Sequence, residues 1–292
     1  MNRILGPGKR THGINLHLLE GLLLSLFWAT SLVAVERNAA FRAALESIRA
    51  NALQSNVDYL ADDKLEGRLP GTEGSRLAGE YIGDRLAALG LEPAGPDGSY
   101  FQPFPPNYRN VLARLEGRDP ERKHEVVLVG AHYDHVGYGA PRTSRGGIGE
   151  IHYGADDNAS GTSALLEVAA ALKSLPEAPR RSIVFAFWDA EELGMFGSKH
   201  WREHPTAPLE DVVAVVTLDM IGRLRNDELS VFGSRTAPGL RHFLAEKNEE
   251  TGLRIQFPWD VKANSDHYIF FEREIPILLF HAGIHDDYHT PR

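Results

Sequence analysis

Acidic and imidazole side chains follow three apolar segments of the sequence. His132 and Asp134 come after VVLVGA, the adjacent Glu191 and Glu192 come after SIVFAFWDA, and Asp219 comes after VVAVVTL. Charge at the end of a buried strand costs free energy unless a metal ion or a charged partner compensates it. The pattern therefore predicts a carboxylate-rich metal site at the ends of these segments.

Two further segments offer ligands of the same kind. The turn GADDNASG carries Asp156 and Asp157, and His289 lies close to the last residue. Imidazole and carboxylate groups suit Zn²⁺ and similar ions, and one carboxylate can bridge two ions because each oxygen can bind one. Two ions about 3.5–4 Å apart can polarise a carbonyl group and activate water. These residue types therefore predict a hydrolase site that holds two metal ions.

Neighbouring residues in these motifs are expected to have different roles. Asp134 lies two residues from His132 on the same strand face, where its carboxylate could accept the second imidazole N–H. Glu191 and Glu192 cannot point the same way from an extended backbone. One of them is therefore expected to bind metal while the other works as a general base. The spacing alone leaves open which glutamate has which role.

Each of these residues also has a purely structural alternative. His132 could be a core histidine bound to the backbone, and the turn before Gly161 could cap a helix. Glu191 and Glu192 could begin a solvent-exposed helix, and Asp219 could end its strand in a turn. The metal site is the better interpretation because residues of the right type stand in the right order at the ends of several separate segments.

Segments with strand and helix patterns alternate along the chain. The predicted strands are Asn110–Leu115, Glu125–Ala131, Ser182–Trp188, Val212–Leu218, Glu228–Phe232 and Pro276–Phe280. The predicted helices are Asn38–Leu60, AGEYIGDRLAALGLEPAG, Gly161–Ser174, a helix that starts near Gly194, and Ala237–Thr251. LEGRLPGTEG is predicted to be a turn-rich connector. The alternation predicts a three-layer α/β/α sandwich with a mostly parallel mixed sheet, in which ligands bind beyond the carboxyl ends of the strands.

The composition narrows the class of protein. The 292 residues are 42% hydrophobic and 24% charged, which is enough for one large α/β domain with a substantial core. A net charge of -9 argues against nucleic acid as a partner. Cysteine is absent, so there is no disulfide, thiolate metal site or nucleophilic thiol. Any metal must therefore be bound by oxygen and imidazole nitrogen.

The N-terminus has the pattern of a targeting segment. Three basic residues within the first ten positions precede the apolar run Gly21–Val35. This order is typical of a signal peptide or signal anchor, whereas a buried N-terminal helix is the alternative. We therefore interpret residues 1–37 as an export signal or membrane anchor. The catalytic part is expected outside the cytoplasm, in the periplasm, in the extracellular space or anchored at a membrane.

The motifs together resemble those of a known family. AHYDHVG, GADDNASG, FAFWDAEELGMFGS, TLDMIGR and DYHTP are similar to the motifs of the M28 family of zinc-dependent exopeptidases, the two-zinc aminopeptidases. The similarity covers roughly Asp58 to Pro291. It implies an aminopeptidase that hydrolyses the N-terminal peptide bond of peptides with a free N-terminus.

The resemblance also implies a role for each candidate residue. Glu191 corresponds to the general base, and Asp134 corresponds to the carboxylate partner of the ligand His132. Two zinc ions per chain are implied. Their ligands are Asp157 as the bridge, His132 and Asp219 for one ion, and Glu192 and His289 for the other.

Two departures concern the boundaries of the domain. Only nine residues separate the strands that end at Leu115 and start at Glu125, so a protease-associated insert has no room and residues 38–292 are expected to form one peptidase domain. The sequence ends three residues after His289, whereas the resemblance implies a further helix. We therefore expect either a C-terminally truncated chain or a pocket that is closed in another way.

Two other functions share the scaffold. One is glutaminyl cyclisation with a single zinc ion, and the other is a catalytically silent binding ectodomain. Two, one or no bound zinc ions would separate the three hypotheses, although Co²⁺ or Mn²⁺ can occupy similar ligands. In the segment NSDHYIFF, Ser265, Asp266 and His267 are candidates for shaping the substrate end of the pocket, with a structural turn as the alternative.

Overall fold

The structure is a computed structural model that describes residues 39–292. The predicted export segment, residues 1–37, lies outside the described residues. Glu46–Arg292 forms one compact unit. Of the residues before it, the structure describes 39–45, which are helical. None of the helices in the described part of the chain is long and apolar enough to cross a bilayer.

A nine-stranded mixed sheet forms the centre of the molecule. The strands are β1 Glu92–Pro93, β2 Phe101–Phe104, β3 Tyr108–Leu115, β4 Val126–His132, β5 Ser182–Trp188, β6 Val212–Leu218, β7 Glu228–Phe232, β8 Arg254–Gln256 and β9 Ile277–His281. Their order is β1-β3-β5-β4-β6-β9-β7-β8, with β2 paired to β3. The central strands β5, β4, β6 and β9 are parallel, whereas β3 and β7 pair with them in the antiparallel direction. The carboxyl ends of the central strands therefore meet at one edge.

Six α-helices accompany this sheet in residues 50–292. They are α1 Ala50–Leu60, α2 Glu73–Ala88, α3 Gly161–Lys173, α4 Phe196–Glu203, α5 Leu240–Asn248 and α6 His267–Phe271. Helices α1, α2 and α3 pack on one face together with Phe185 and Phe187 of β5. Helices α4 and α6 pack on the other face with Val184 and Trp188 of the same strand. The predicted three-layer α/β/α sandwich is confirmed.

The central strands are apolar on both faces because both faces are covered. All seven residues of β5, SIVFAFW, are buried, as expected for an inner parallel strand. Gly130 in β4 allows a close approach from the neighbouring strand. A Cβ atom there would lie 2.6 Å from Nε1 of Trp188, so only glycine leaves room for the indole. The core thus depends on one small and one large residue in adjacent strands.

Three helix predictions differ from the structure. The helix predicted for AGEYIGDRLAALGLEPAG is α2, which starts earlier, at Glu73 within the predicted connector, and ends at Ala88. The helix predicted over Asn38–Leu60 is interrupted before α1, because Arg49 is extended, with φ -114° and ψ 141°. The helix predicted over Ala237–Thr251 is shorter at both ends. Gly239 precedes α5 in the left-handed region with φ 84°, and the Asn248 side chain accepts from the backbone N–H of Leu253, which turns the chain away after α5.

We expect Phe270 to be a major source of stability in the second layer. Its ring is fully buried, with centroids 6.2 Å from Trp188 and 5.9 Å from Trp201. Phe270→Ala should lower the free energy of unfolding by about 3–5 kcal/mol, because it leaves a cavity between two large side chains. Urea denaturation measures this. The matched control is the half-exposed neighbour Phe271, whose replacement by alanine should cost less than about 1 kcal/mol. Equal losses for the two variants would show that the aromatic packing is not the cause.

Candidate metal centre

The parallel strands bring the predicted residues to one place. His132 is the last residue of β4 and pairs in register with Trp188 at the end of β5. Glu191 and Glu192 follow β5 after two residues, and Asp219 follows β6 directly. Because β5, β4 and β6 are adjacent and parallel, these side chains share the carboxyl edge of the sheet. The turn Ala155–Ser160 and the C-terminal turn supply the remaining groups.

Three of the predicted ligands form a first group. Nε2 of His132 lies 3.2 Å from Oδ1 of Asp157 and 3.5 Å from Oδ1 of Asp219. All three residues are buried, and their donor atoms lie within 4.8 Å of one another. This group could hold one metal ion.

A second group lies beside the first. Nε2 of His289 is 3.0 Å from Oδ2 of Asp157 and 3.1 Å from Oε2 of Glu192. Nδ1 of His135 is 2.8 Å from Oε1 of Glu192. The donor atoms of these four residues also lie within 4.8 Å of one another. Nδ1 of His289 faces the carbonyl oxygen of Thr143 at 2.6 Å, which leaves Nε2 directed at the carboxylates.

Asp157 belongs to both groups. Its Oδ1 faces His132, whereas its Oδ2 faces His289. Imidazole nitrogen and carboxylate oxygen are ligands that Zn²⁺ prefers, so the donor set fits one such ion in each group. Asp156 has different contacts: its carboxylate accepts the N–H of Gly222 at 2.8 Å and lies 3.1 Å from Nε2 of His285. The two neighbouring aspartates therefore differ in their contacts: Asp157 faces a histidine of each donor group, whereas Asp156 contacts Gly222 and His285.

Asp134 connects the ends of two strands. Nδ1 of His132 lies 3.3 Å from the backbone carbonyl oxygen of Asp134 and 3.5 Å from its Oδ1, the oxygen of the partner that the sequence suggests. The same carboxylate accepts the backbone N–H groups of Glu191 at 3.0 Å and Glu192 at 3.2 Å. The fully buried Asp134 therefore orients the histidine of β4 and both glutamates after β5.

The charges within the two groups raise the pKa of His132 and lower the pKa of Asp157. Burial acts to lower the pKa of His132, but the carboxylates of Asp134, Asp157 and Asp219 raise it well above its usual value. Burial acts to raise the pKa of Asp157, but His132 and His289 hold it well below its usual range. In the metal-free protein, protonated imidazoles therefore compensate the buried carboxylates.

Glu191 differs from its neighbour in its electrostatic environment. Burial raises its pKa well above the ordinary value, and the charges of Asp266, Glu192 and Asp219 act in the same direction. The pKa of Glu192 is lowered, although burial and Asp157 oppose this, because it accepts hydrogen bonds from the two histidines of the second group. Glu191 thus holds a proton more readily than an ordinary glutamate, and Glu192 holds one less readily.

His135 is a member of the second group with no role in the sequence-based prediction. It lies three residues after His132, and this repeat within one loop is the signal that could have found it. Its contact with Glu192 depends on the tertiary structure. The turn that carries Asp157 packs against it, since a Cβ atom at Gly154 would lie 2.6 Å from the His135 ring.

A cavity of about 610 Å³ opens beside the second group. Its walls include residues of α1, the turn of Asp156 and Asp157, and Arg223, Tyr288 and His289. Ser265, Asp266 and His267, the candidates for the substrate end, are completely buried and do not line this cavity. A substrate in this cavity would therefore not contact these three residues, in contrast to the sequence-based hypothesis.

The sandwich and the donor groups at its strand ends define an α/β protein of the metal-dependent hydrolase type. Residues 110–292 match the sequence model of Peptidase family M28. This match covers more than half of the chain, so the chain belongs to peptidase family M28.

Individual relatives agree with this membership. The chain is 26% identical to leupeptin-inactivating enzyme 1 of Streptomyces exfoliatus over 233 residues, which is 78% of this chain and 48% of the relative. It is 33% identical to aminopeptidase YwaD of Bacillus subtilis over 179 residues, which is 57% of this chain and 35% of the relative. It thus spans less than half the length of both. The fold is similar to that of BSAP, a zinc aminopeptidase from Bacillus subtilis, with TM-score 0.66, 19% identity and coverage of 84% and 89% of the two chains.

The protonation of His289 should make the stability of the metal-free protein depend on pH. Burial acts to lower its pKa, yet hydrogen bonds with Asp157 and Glu192 raise it from 6.5 to about 10. Because the folded value is the higher one, this stabilisation is complete below the unfolded pKa of 6.5 and is lost as the pH rises through 10. Urea denaturation of chelator-treated protein should therefore show a decline between these values. In His289→Gln the decline should be smaller, and an unchanged decline would exclude this histidine as its source.

Proposed function

We propose that the chain is an aminopeptidase that hydrolyses the N-terminal peptide bond of peptides with two zinc ions and a glutamate base. Membership of peptidase family M28 supports the reaction class. The observation that carries the two-ion assignment is the position of Asp157, whose two carboxylate oxygens face histidines of two separate donor groups.

The chain supplies a complete donor set for both ions. His132 and Asp219 would complete one site, and Glu192 and His289 the other, with Asp157 shared. Bound zinc ions polarise a carbonyl group and lower the pKa of bound water. His135 lies within hydrogen-bond distance of Glu192 and would fix the orientation of that carboxylate, as outer partners of metal ligands commonly do.

Glu191 is the proposed general base. Its backbone N–H is held by Asp134, next to that of the ligand Glu192, so its side chain starts from a fixed position beside the donor groups. A carboxyl group with a raised pKa takes up a proton more readily near neutral pH. Glu191 would accept a proton from the attacking water and deliver it to the leaving amine.

The charge of the site favours a substrate with a free amino terminus. Asp156, Asp157 and His289 line the cavity beside the donor groups. Its wall also carries two arginines, and both lie against Asp287: Arg223 at 2.6 Å and Arg292 at 4.0 Å. The carboxylates that remain would attract an ammonium group. We propose peptides with a free N-terminus as substrates, rather than N-blocked ones.

The alternatives differ in metal content and reaction. A glutaminyl cyclase would use one zinc ion and release a cyclised N-terminus, and a silent ectodomain would bind no catalytic metal. The shared position of Asp157 favours the two-ion peptidase. We also propose that the chain acts outside the cytoplasm. This proposal rests only on the basic and apolar pattern of residues 1–37.

Glu191→Gln should separate catalysis from metal binding. The amide cannot accept a proton, so turnover of amino-acid arylamides should fall by about 10²–10⁴-fold, while the zinc content stays that of the wild type. The matched control is Glu192→Gln at the next position, which removes a proposed ligand and should lower the zinc content as well. Arylamide kinetics and elemental analysis of the purified proteins measure both quantities.

The same assay tests the substrate class. Wild-type protein should cleave arylamides with a free amino group, should leave N-acetylated analogues intact, and should lose activity with a chelator. Cleavage of the N-acetylated substrates would contradict the aminopeptidase proposal. Undiminished turnover by Glu191→Gln would exclude Glu191 as the base.

A further inference from the structure

Arg68 is a completely buried arginine close to the metal centre. It ends the short helical segment Asp63–Arg68 that precedes α2, within the sequence LEGRLPGTEG that is predicted only as a connector. Its exposed fraction is 0%. Arginine is almost never fully buried unless its charge and its N–H groups have partners, so the position needs an explanation.

All hydrogen-bond partners of the Arg68 side chain are main-chain carbonyl groups. Its Nε–H donates to Tyr133 at 2.8 Å, and its Nη2–H donates to Gly154 at 2.9 Å. Its Nη1 donates to Tyr153 at 2.8 Å and also to Leu60, the last residue of α1. The planar guanidinium fork therefore joins three chain segments that are far apart in sequence.

Two of these segments carry the proposed metal ligands. Tyr133 stands between His132 and Asp134 in the loop after β4. Gly154 lies at the start of the turn and precedes Asp157 by three residues. The carbonyl groups bound by Arg68 are thus next to, or within one turn of, ligands that must stay close together. The Arg68 side chain, which belongs to neither segment, donates hydrogen bonds to both of them at once.

The backbone of the same segment packs against the same loops. The N–H of His135 donates to the carbonyl oxygen of Arg68 at 3.2 Å, and that of Gly137 donates to Gly67 at 3.0 Å. A Cβ atom at Gly67 would lie 2.4 Å from the carbonyl oxygen of His152, so no side chain fits there. Arg68 itself is left-handed with φ 51°. A non-glycine residue keeps this strained conformation only where its surroundings hold it.

The charge of Arg68 is not used in an ion pair. No carboxylate in residues 39–292 accepts a hydrogen bond from its side chain. Burial lowers its pKa to about 10, whereas the nearby charges of Asp134, Asp157 and Glu192 act to raise it. The side chain is therefore cationic at neutral pH, and it interacts with the carboxylates of the metal centre through its charge without a hydrogen bond to them.

We propose that Arg68 is a positioning residue for the metal centre: it ties the loop of His132 and Asp134 to the turn of Asp157 before any metal binds. This inference rests on the proposed function, because it takes those residues as the metal ligands. Arg68 contacts no ligand side chain, so its effect would pass entirely through the backbone that it holds.

Two substitutions distinguish the effect of the guanidinium hydrogen bonds of Arg68 from the effect of its positive charge. Arg68→Lys keeps a positive charge but cannot reach all four carbonyl groups, and Arg68→Met removes the charge as well. The matched control is Arg114→Met. Arg114 also joins separate segments, by donating to the carbonyl oxygen of Lys123 and to Oγ of Ser182, but at the amino ends of β4 and β5, opposite the metal centre.

The first measurement uses full-length protein without metal. Hydrogen exchange followed by mass spectrometry should show faster exchange in residues 133–137 and 152–160 for both Arg68 variants. Exchange at the amino ends of β4 and β5 should stay as in the wild type. Arg114→Met should give the reverse pattern. If Arg68→Met does not fold, Arg68→Lys carries the comparison.

The second measurement is zinc affinity, by competition with a chromophoric chelator. Both Arg68 variants should bind Zn²⁺ about 10–100-fold more weakly than the wild type, as is usual when an outer partner of metal ligands is removed, and Arg114→Met should bind as the wild type does. The proposal would be overturned if the Arg68 variants showed the same exchange rates as the wild type in both segments. It would also be overturned if they bound zinc as tightly as the wild type or more tightly. If the wild type itself binds no zinc, the proposed function fails, while the exchange pattern still decides the role of Arg68.

Discussion

The structure depends on the stabilisation of several buried carboxylates at the carboxyl edge of the sheet. The carboxylates of Asp134, Asp157 and Asp219 are all buried there. Such a group of anions is tolerated in a protein interior only with cations and hydrogen-bond donors close by. In the metal-free protein these partners are histidines with raised pKa values, such as His132, and backbone N–H groups. Metal ions would take the place of the imidazole protons, so the same constraint explains the fold of the loops and the proposed activity.

The strands and the loops of the sandwich position these buried residues in different ways. Parallel strands β5, β4 and β6 end side by side, and their burial on both faces fixes the backbone from which His132 and Asp219 project. The turn of Asp157 is not part of the sheet. It is held by contacts with distant segments, among them His135 and the buried Arg68. The loops of the centre are thus held by long-range polar contacts in addition to the apolar packing of residues such as Ala159 and Tyr133.

The sequence predicts the parts that follow from local patterns. The strands Ser182–Trp188, Val212–Leu218 and Glu228–Phe232 are observed with the predicted bounds, since apolar runs that end in turn or charged residues mark a strand clearly. The C-terminal helix prediction, Ala237–Thr251, extends too far, because glycine geometry and a side-chain cap, not periodicity, set its ends. His135 and Arg68 have no predicted role. Their partners lie 57 residues away in Glu192 and 65 residues away in Tyr133, and no spacing in the sequence encodes such contacts.

The two-ion proposal requires that Asp157 bridge both ions. A crystal of the zinc-loaded protein, measured on both sides of the zinc absorption edge, would show this. We expect two anomalous peaks about 3.5–4 Å apart, one on each side of the Asp157 carboxylate, with His132 and Asp219 at one and Glu192 and His289 at the other. A single peak, or two peaks that do not share Asp157, would contradict it.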